Sequence, residues 1–351
     1  MRKLDFVLPK LYIRARRAAL STTIFRVRKA AGCLNWGVVG TGHMASTWAD
    51  LLLGSRIGRL RAVCSRSAAR ANSFARKFGC ELAYGHVDEM LRKEAGRLDM
   101  VYLATPLDSH ASLIRECIDA GVGVLTEKPA TRTAEQWAEL TAFAKRRNVL
   151  LVEGMWMRCL PAHRQAETWI EEGKIGTIRL VKADLNKFIA PTASGMQPVE
   201  GVMMDFGVYA LSFICNFLGG KPEWHQAESR YDESGHDRDW TIIARRGDRS
   251  AVVNLSQNSH STSRAMVIGD LGIIEWQSPF NRTNQISLYT RQSRQRVRKT
   301  FLHLHGGYDW QLQEVTKAFA ARSLESSLLS HDATFNTLKL ADELLRAREH
   351  D

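Results

Sequence analysis

The stretch from Leu34 to Ala45 is Leu-Asn-Trp-Gly-Val-Val-Gly-Thr-Gly-His-Met-Ala, and it decides the fold. Its apolar first half predicts a buried strand, and the apolar residues that follow the glycines recur at helical spacing. G-x-G-x-x-A between a strand and a helix is typical of a loop whose backbone approaches a pyrophosphate, which the helix N-terminus stabilises. We therefore predict a dinucleotide-binding loop in which Ala45 keeps helix and strand close and the cofactor contacts come from Gly40, Thr41, Gly42, His43 and Met44.

The pattern that follows alternates strands and helices as far as residue 155. We predict strands at 60–64, 80–84, 99–104, 122–126 and 149–153, and helices at 67–78, 108–120 and 134–147, which favours a parallel sheet with right-handed crossovers. Beyond residue 155, strand-like runs follow one another with few helices between them, which favours an antiparallel sheet. The expected fold class is α/β, with an N-terminal Rossmann dinucleotide-binding domain at 34–155. A C-terminal α+β domain with a large open, mainly antiparallel sheet is expected at 156–351. Its last helix (333–348) either stays in that domain or packs back on the Rossmann domain.

Length and charge restrict the class of protein. The chain has 351 residues and a mass of 39.5 kDa, enough for two cores. Nine Lys and Arg against one acidic residue lie in the first 33 residues, which hold most of the net charge of +12. This basic leader has the composition of an organelle transit peptide or of a tail, so we expect a cytoplasmic or an organelle-targeted protein. No nucleic-acid motif accompanies the other basic residues, and the apolar runs are too short to span a membrane.

The second predicted strand indicates which dinucleotide binds. An NAD enzyme carries an acidic residue at its end, for the adenosine ribose hydroxyl, whereas this chain has Ser65 and Arg66. A hydroxyl and a guanidinium suit a 2′-phosphate, because Arg offers a charge-assisted fork. We expect NADP rather than NAD; the alternative is that Arg66 is an ordinary surface residue.

Three further segments carry candidate chemistry. Thr105-Pro106 and Glu127-Lys128 follow the predicted strands at 99–104 and 122–126, at the edge where ligands collect in open α/β sheets. Asp205 and Tyr209 are polar groups in an apolar stretch, and if Asp205 opens a helix the two share one face. Lys128, Asp205 and Tyr209 each have an ordinary alternative. Lys128 would be an exposed Lys before a turn proline, Asp205 only an N-cap and Tyr209 a half-buried core residue.

Together these motifs resemble the glucose-fructose oxidoreductase, inositol dehydrogenase and MocA family, over about Asn35 to the C-terminus. The segment 153–161, Glu-Gly-Met-Trp-Met-Arg-Cys-Leu-Pro, and Tyr209 are most similar to the dihydrodiol dehydrogenase and NADP-dependent aldose 1-dehydrogenase branch. The resemblance implies a cis Lys128–Pro129 bond and a homodimer through the C-terminal sheet. It implies catalytic Lys128, Asp205 and Tyr209, and further cofactor contacts from Thr105, Pro106, His110, Glu127 and Lys128.

The expected reaction is hydride transfer between NADP and a CH–OH or C=O carbon of a sugar, polyol or dihydrodiol. Tyr209 would be the general acid/base, Lys128 would help lower its pKa, and Asp205 would orient substrate or Lys128. Weaker substrate candidates are Trp156, Arg158 and Tyr308, with a structural role as the alternative for Trp156. Two rivals remain open: an inactive NADP-binding regulator, and an enzyme that recycles a retained cofactor between two sugars.

A metal site and a disulfide framework are not expected. The six cysteines are dispersed and include no C-x-x-C pair, which favours reduced thiols. His303 and His305 flank Leu304 and would share one face if this segment were a strand, as a metal pair does, but no third ligand is evident nearby in the sequence.

Overall fold

The computed structural model describes residues 32–189, 200–293, 296–303 and 305–347. They form two compact units. The first comprises the described residues up to Thr131, Gln136–Trp156 and the segment from 305 to Ser330; the second comprises Arg132–Glu135, Met157–His303 and the described segment from His331 onward. All but the last two residues of the basic leader lie outside the described residues.

The first unit is built on a six-stranded sheet in the order β3-β2-β1-β4-β5-β6, in which every neighbouring pair is parallel. This is the order of a dinucleotide-binding Rossmann sheet, with its switch point between β1 and β4. The strands are β1 Leu34–Val39, β2 Gly58–Cys64, β3 Leu82–Tyr84, β4 Met100–Leu103, β5 Gly123–Thr126 and β6 Leu151–Glu153. The helices that alternate with them are α1 His43–Gly54, α2 Ala68–Phe78, α3 Val87–Lys93, α4 His110–Asp119 and α5 Ala134–Arg147.

An aromatic cluster fills the core beside the switch point. Trp36 of β1 meets Trp48 of α1 edge to face, with ring centroids 5.2 Å apart, and Trp48 stacks on Tyr102 of β4 at 4.7 Å. All three side chains are buried. These contacts fix α1, and with it the glycine loop, against the two central strands.

The second unit is built on an eight-stranded sheet in the order β14-β13-β12-β11-β7-β10-β9-β8. Only β7 and β10 are parallel neighbours, so the sheet is mainly antiparallel, as predicted. The strands are β7 Ile178–Asn186, β8 Trp224–Tyr231, β9 Asp237–Arg246, β10 Arg249–Ser256, β11 Ala265–Gly269, β12 Gly272–Trp276, β13 Gln285–Thr290 and β14 Arg296–Thr300.

Three helices accompany this sheet: α6 Pro161–Glu171, α7 Val208–Leu218 and, at the end of the chain, α9 His331–Arg346. Helix α7 is buried along almost its whole length, because β7 and β10 cover one side of it and α9 the other. The remaining helix, α8 Tyr308–Ala320, belongs to the first unit. The last helix therefore packs within the second unit, and it is the preceding helix that joins the Rossmann unit.

None of the helices in the described part of the chain is long and apolar enough to cross a membrane.

Candidate active site

The glycine loop has the geometry that a bound pyrophosphate requires. Gly40 has φ +110°, and a Cβ placed on it would lie 2.3 Å from the carbonyl oxygen of Ala104, at the end of β4. No side chain fits there, so only glycine at position 40 lets the loop backbone pass this close to the end of β4 at the switch point. A Cβ on Gly42, by contrast, would meet nothing within 4 Å. The loop thus leaves open space next to the backbone at its second glycine.

The N-terminus of α1 faces the same loop and suits an anion. No side chain caps it, and its first turn contains no acidic residue. The amides of such a first turn have no helical acceptor and carry partial positive charge. Ala45 is fully buried, as its predicted role requires. The residues of this loop therefore fit a dinucleotide pyrophosphate.

The helix that follows β2 begins beside two cationic side chains. Ser65 is buried, whereas Arg66 is exposed and makes no contact with a partner in the described residues. The Ser67 hydroxyl caps α2 by accepting from the Arg70 amide at 3.3 Å, and the Arg70 side chain is exposed in the same first turn. Two arginines at a helix N-terminus without an acidic residue is an unfavourable arrangement that a bound anion would offset. Sequence reasoning missed Arg70, although its spacing from Arg66 was a usable signal.

His110 joins two of the predicted cofactor segments. Its ring is buried, with Nε2 2.9 Å from the carbonyl oxygen of Thr105 and Nδ1 3.0 Å from that of Pro129. Burial lowers the pKa of His110 and outweighs the two carbonyl groups, which favour the charged ring. The neutral ring donates to one of the two carbonyls. His110 thereby connects the turn after β4 to the turn after β5.

The turn that carries Lys128 is held from several directions. The Tyr102 hydroxyl donates to the buried Glu127 carboxylate, and burial raises the pKa of Glu127 against the opposing effects of Tyr102 and Lys128. The Ala130 amide donates to Glu153 at 3.0 Å. The Lys128–Pro129 bond is cis, in agreement with the resemblance, and Lys128 itself is half-buried. Sequence reasoning missed Tyr102 and Glu153, because both lie inside predicted strands and look like strand residues.

Trp156 forms an aromatic pair beside the glycine loop. Its ring stacks on Tyr308 with centroids 4.7 Å apart and planes 30° apart, and the Tyr308 hydroxyl lies 3.9 Å from the Met44 sulfur. Two of the substrate candidates therefore meet each other next to a predicted cofactor residue, all within the first unit.

In the second unit, Asp205 lies inside a π-helical turn, Met203–Gly207, which precedes α7. The interpretation of Asp205 as a helix-opening residue or N-cap is therefore wrong, because the helical segment already begins at Val202 and the Asp205 amide donates to the Gly201 carbonyl oxygen at 3.0 Å. Single π-helical turns are frequent at functional sites. Tyr209 follows in α7 and is buried. Gly207 lets the turn lie on the sheet, since a Cβ there would be 2.8 Å from a Leu255 methyl carbon.

Arg158 is part of a polar network in the second unit. Its guanidinium donates to the Asn216 side-chain oxygen at 2.7 Å, and the Asn216 amide donates to Glu167 at 3.2 Å and lies 3.2 Å from the ring of His163. Burial lowers the pKa of His163 to about 3 and raises that of Glu167. Arg158 thus has a structural role in addition to its predicted contact with substrate.

The two histidines considered as a metal pair do not share a strand. Strand β14 ends at Thr300, and His305 lies in a 3₁₀ turn with φ +51°. That interpretation was wrong because β14 ends before either histidine, and His305 belongs to a 3₁₀ turn together with the glycines at 306 and 307. The Nδ1 atom of His305 lies 3.4 Å from an Asp50 carboxylate oxygen. Among the described residues, no group of three or more His, Cys, Asp or Glu could hold a metal ion.

Comparison with known proteins gives the chain's relatives. The family model described as an oxidoreductase family with an NAD-binding Rossmann fold, GFO_IDH_MocA, matches residues 34–155. The GFO/IDH/MocA C-terminal domain model matches residues 163–275. Mouse trans-1,2-dihydrobenzene-1,2-diol dehydrogenase is 30% identical over 250 residues, which cover 70% of this chain and 74% of the relative. The human enzyme of the same name is 28% identical over 252 residues, covering 70% and 75%.

Solved structures show the same fold. KijD10, a 3-ketoreductase from Actinomadura kijaniata in complex with TDP-benzene and NADP, superposes with a TM-score of 0.75 at 22% identity over 89% of this chain and 96% of that one. An Agrobacterium radiobacter oxidoreductase in complex with NAD+, L-tartaric acid and magnesium gives 0.75 at 16% identity, over 88% and 94%.

Proposed function

Because the chain belongs to the GFO/IDH/MocA oxidoreductase family, we propose that it is an NADP-dependent dehydrogenase acting on a CH–OH carbon. The candidate substrates are a trans-dihydrodiol, a sugar or a polyol, in either redox direction. The observation that carries this proposal is the open glycine loop at the switch point, with an uncapped helix N-terminus behind it. The dinucleotide would bring the hydride chemistry, and the chain's own residues would bind, orient and exchange protons.

NADP is preferred to NAD in this proposal because of the end of β2. The two exposed guanidinium groups of Arg66 and Arg70 flank the start of α2, where no acidic side chain stands for a ribose hydroxyl. A 2′-phosphate would be bound by charge-assisted hydrogen bonds at this helix start. Ser65 supplies a hydroxyl directly before them.

Tyr209, Lys128 and Asp205 have the proton-handling and orienting roles. Tyr209 exchanges a proton with the substrate oxygen, a task for which a phenol needs a neighbouring cation at neutral pH. Lys128 is that cation, and the backbone that follows it is held by the hydrogen bonds between His110 and Pro129 and between Ala130 and Glu153. Asp205 orients the substrate or Lys128.

The aromatic pair of Trp156 and Tyr308 supports a substrate with an apolar face. A ring carbon face of a dihydrodiol or a sugar would pack on such a platform. The names of the mouse and human relatives make a benzene dihydrodiol the first substrate to test.

The test is turnover by the purified protein, followed by the absorbance of reduced nicotinamide. NADP+ and NAD+ would each be offered with trans-benzene dihydrodiol, aldoses and inositols. Tyr209→Phe and Lys128→Met should each lower kcat by about 100-fold or more, the range of general acid–base catalysis. Matched controls are Tyr289→Phe and Lys145→Met, at exposed positions outside the proposed site, which should keep full activity.

Each alternative gives a different outcome. Nucleotide binding without turnover in either direction would contradict the enzyme and favour the regulatory protein. Protein that retains NADP through gel filtration, and reduces one sugar only when a second is supplied, would favour the recycled cofactor. Activity that survives in both Tyr209→Phe and Lys128→Met would contradict the assigned roles.

We also propose a homodimer through the open face of the second sheet. Ile243 and Val252 are cross-strand neighbours on β9 and β10, and they remain 43% and 36% exposed. Trp224 of β8 lies on the same face and is 46% exposed. Exposed apolar side chains grouped on one face favour burial against a second copy. Sedimentation analysis tests this proposal.

A further inference from the structure

The π-helical turn that carries Asp205 is attached to the sheet by one carboxylate. Asp237, the first residue of β9, is 6% exposed. One of its oxygens, Oδ2, accepts from the Met203 amide at 2.7 Å and from the indole nitrogen of Trp240 at 2.7 Å. The Met203 amide belongs to the first residue of the π-helical turn.

Gly201 allows this contact to form. A Cβ at Gly201 would lie 1.6 Å from Oδ1 of Asp237, so only glycine permits the carboxylate to reach the start of the turn. Two residues later the Met203 amide is among the first of its helical segment, which have no acceptor within the helix. Asp237 therefore provides, from the sheet, the hydrogen-bond acceptor that the Met203 amide lacks within the helix.

The register of this turn determines the orientation of Asp205. A π-helical turn is an α-helix with one residue too many, and a helix rotates by about 100° for each residue. If the extra residue were lost or moved, Asp205 would rotate relative to Tyr209, which lies beyond the turn. Two contacts attach this turn to the sheet, one at each end: the hydrogen bond from the Met203 amide to Asp237, and the close approach of Gly207 to Leu255.

We propose that Asp237 is a positioning residue, whose acceptance from the Met203 amide fixes the register of the Met203–Gly207 turn and thereby the orientation of Asp205. This inference rests on the proposed function in giving Asp205 a role in the reaction. The ordinary alternative is that Asp237 only satisfies the buried Trp240 indole. The two differ in which of the two hydrogen bonds affects turnover.

The test compares variants that remove the acceptor, keep it, or remove only the other donor. Asp237→Leu removes the acceptor and should lower kcat by about 100-fold, the cost of misplacing a reacting group by about 1 Å, with KM for NADP+ unchanged. Asp237→Asn keeps a side-chain oxygen and should retain most of the turnover. Trp240→Phe removes the indole donor and part of a buried ring but keeps the acceptor for the Met203 amide, so kcat should stay near that of the wild type. Gly201→Ala displaces the carboxylate and should resemble Asp237→Leu.

A second measurement needs no turnover. Hydrogen–deuterium exchange of the peptide that covers residues 200–208 should show protection of the Met203 amide in the wild type and Asp237→Asn. This protection should be lost in Asp237→Leu and Gly201→Ala. Asp205→Asn should abolish turnover without changing the exchange.

The outcomes separate this inference from the proposed function. If the wild type and Asp237→Leu have equal kcat, or if kcat of Asp237→Asn falls as far as that of Asp237→Leu, the positioning role is overturned. The proposed enzymatic function is then unaffected. If Trp240→Phe loses as much as Asp237→Leu, the ordinary alternative is correct. If the wild type has no turnover, the proposed function fails, and the exchange of the Met203 amide still decides whether Asp237 holds the turn.

Discussion

Replacement of Arg66 by Ala should change the choice of dinucleotide without weakening the fold. Arg66 is exposed and makes no hydrogen bond or ion pair with any residue that the structure describes, so its removal breaks no internal polar contact. A hydrogen bond to a charged group contributes about 1.5–3 kcal/mol, and about 1.4 kcal/mol corresponds to tenfold in affinity. Since the Arg70 side chain and the α2 N-terminus remain, we expect the lower end, about a tenfold weaker binding of NADP+.

Isothermal titration calorimetry with NADP+ and NAD+ measures this effect without any substrate. NAD+ lacks the 2′-phosphate, so its affinity should change by less than about twofold in Arg66→Ala, within the scatter of surface substitutions. Arg76→Ala is the matched control, because Arg76 is equally exposed but lies in the last turn of α2. The reasoning is refuted if Arg66→Ala weakens both nucleotides equally, or if the wild type binds NAD+ more tightly than NADP+.

Three further predictions concern stability and assembly. Gly40→Ala places a Cβ 2.3 Å from the Ala104 oxygen at a residue with φ +110°, and should lower the free energy of unfolding by about 1–3 kcal/mol or more. Gly42→Ala should leave the free energy of unfolding unchanged and weaken only NADP+ binding. Urea denaturation measures the effect on stability. His163, with its pKa lowered to about 3, stays neutral in the fold while the unfolded chain takes up a proton below about pH 6.5. The protein should therefore lose about 2 kcal/mol of stability between pH 7.5 and 5, and His163→Gln should lose less. Ile243→Glu should yield a monomer in sedimentation if the open face of the second sheet forms the dimer, and Glu228→Gln, on the same strand pair, should not.

Each of these three has a contradicting result. Equal unfolding curves for Gly40→Ala and the wild type would mean that the loop does not need positive φ. An unchanged pH profile in His163→Gln would place the acid sensitivity in other groups. A dimer that persists in Ile243→Glu would require a different interface.

The fold was predictable because its main signals are local. The strand, glycine turn and helix at residues 34–54 indicate the switch point, and α5 at Ala134–Arg147 has the predicted bounds. The elements that were missed have weak local signals. Helix α3 has only seven residues, and β8 lies at a sheet edge, where exposed and half-buried residues alternate without an apolar face.

The candidate site was predictable only in part, because half of its geometry depends on long-range contacts. Lys128 and Asp205 stand in motifs, whereas nothing near Asp237 in the chain marks it: it lies in the charged run Asp-Arg-Asp, typical of a solvated turn. It is buried at the start of β9, where it pairs with Tyr231 of the edge strand β8 and accepts from an amide 34 positions earlier in the chain. The π-helical turn is hidden for the same reason, since one extra residue barely alters an apolar helical pattern. Motifs therefore identify the side chains proposed for the chemistry, while the residues that aim them are found only from the packing.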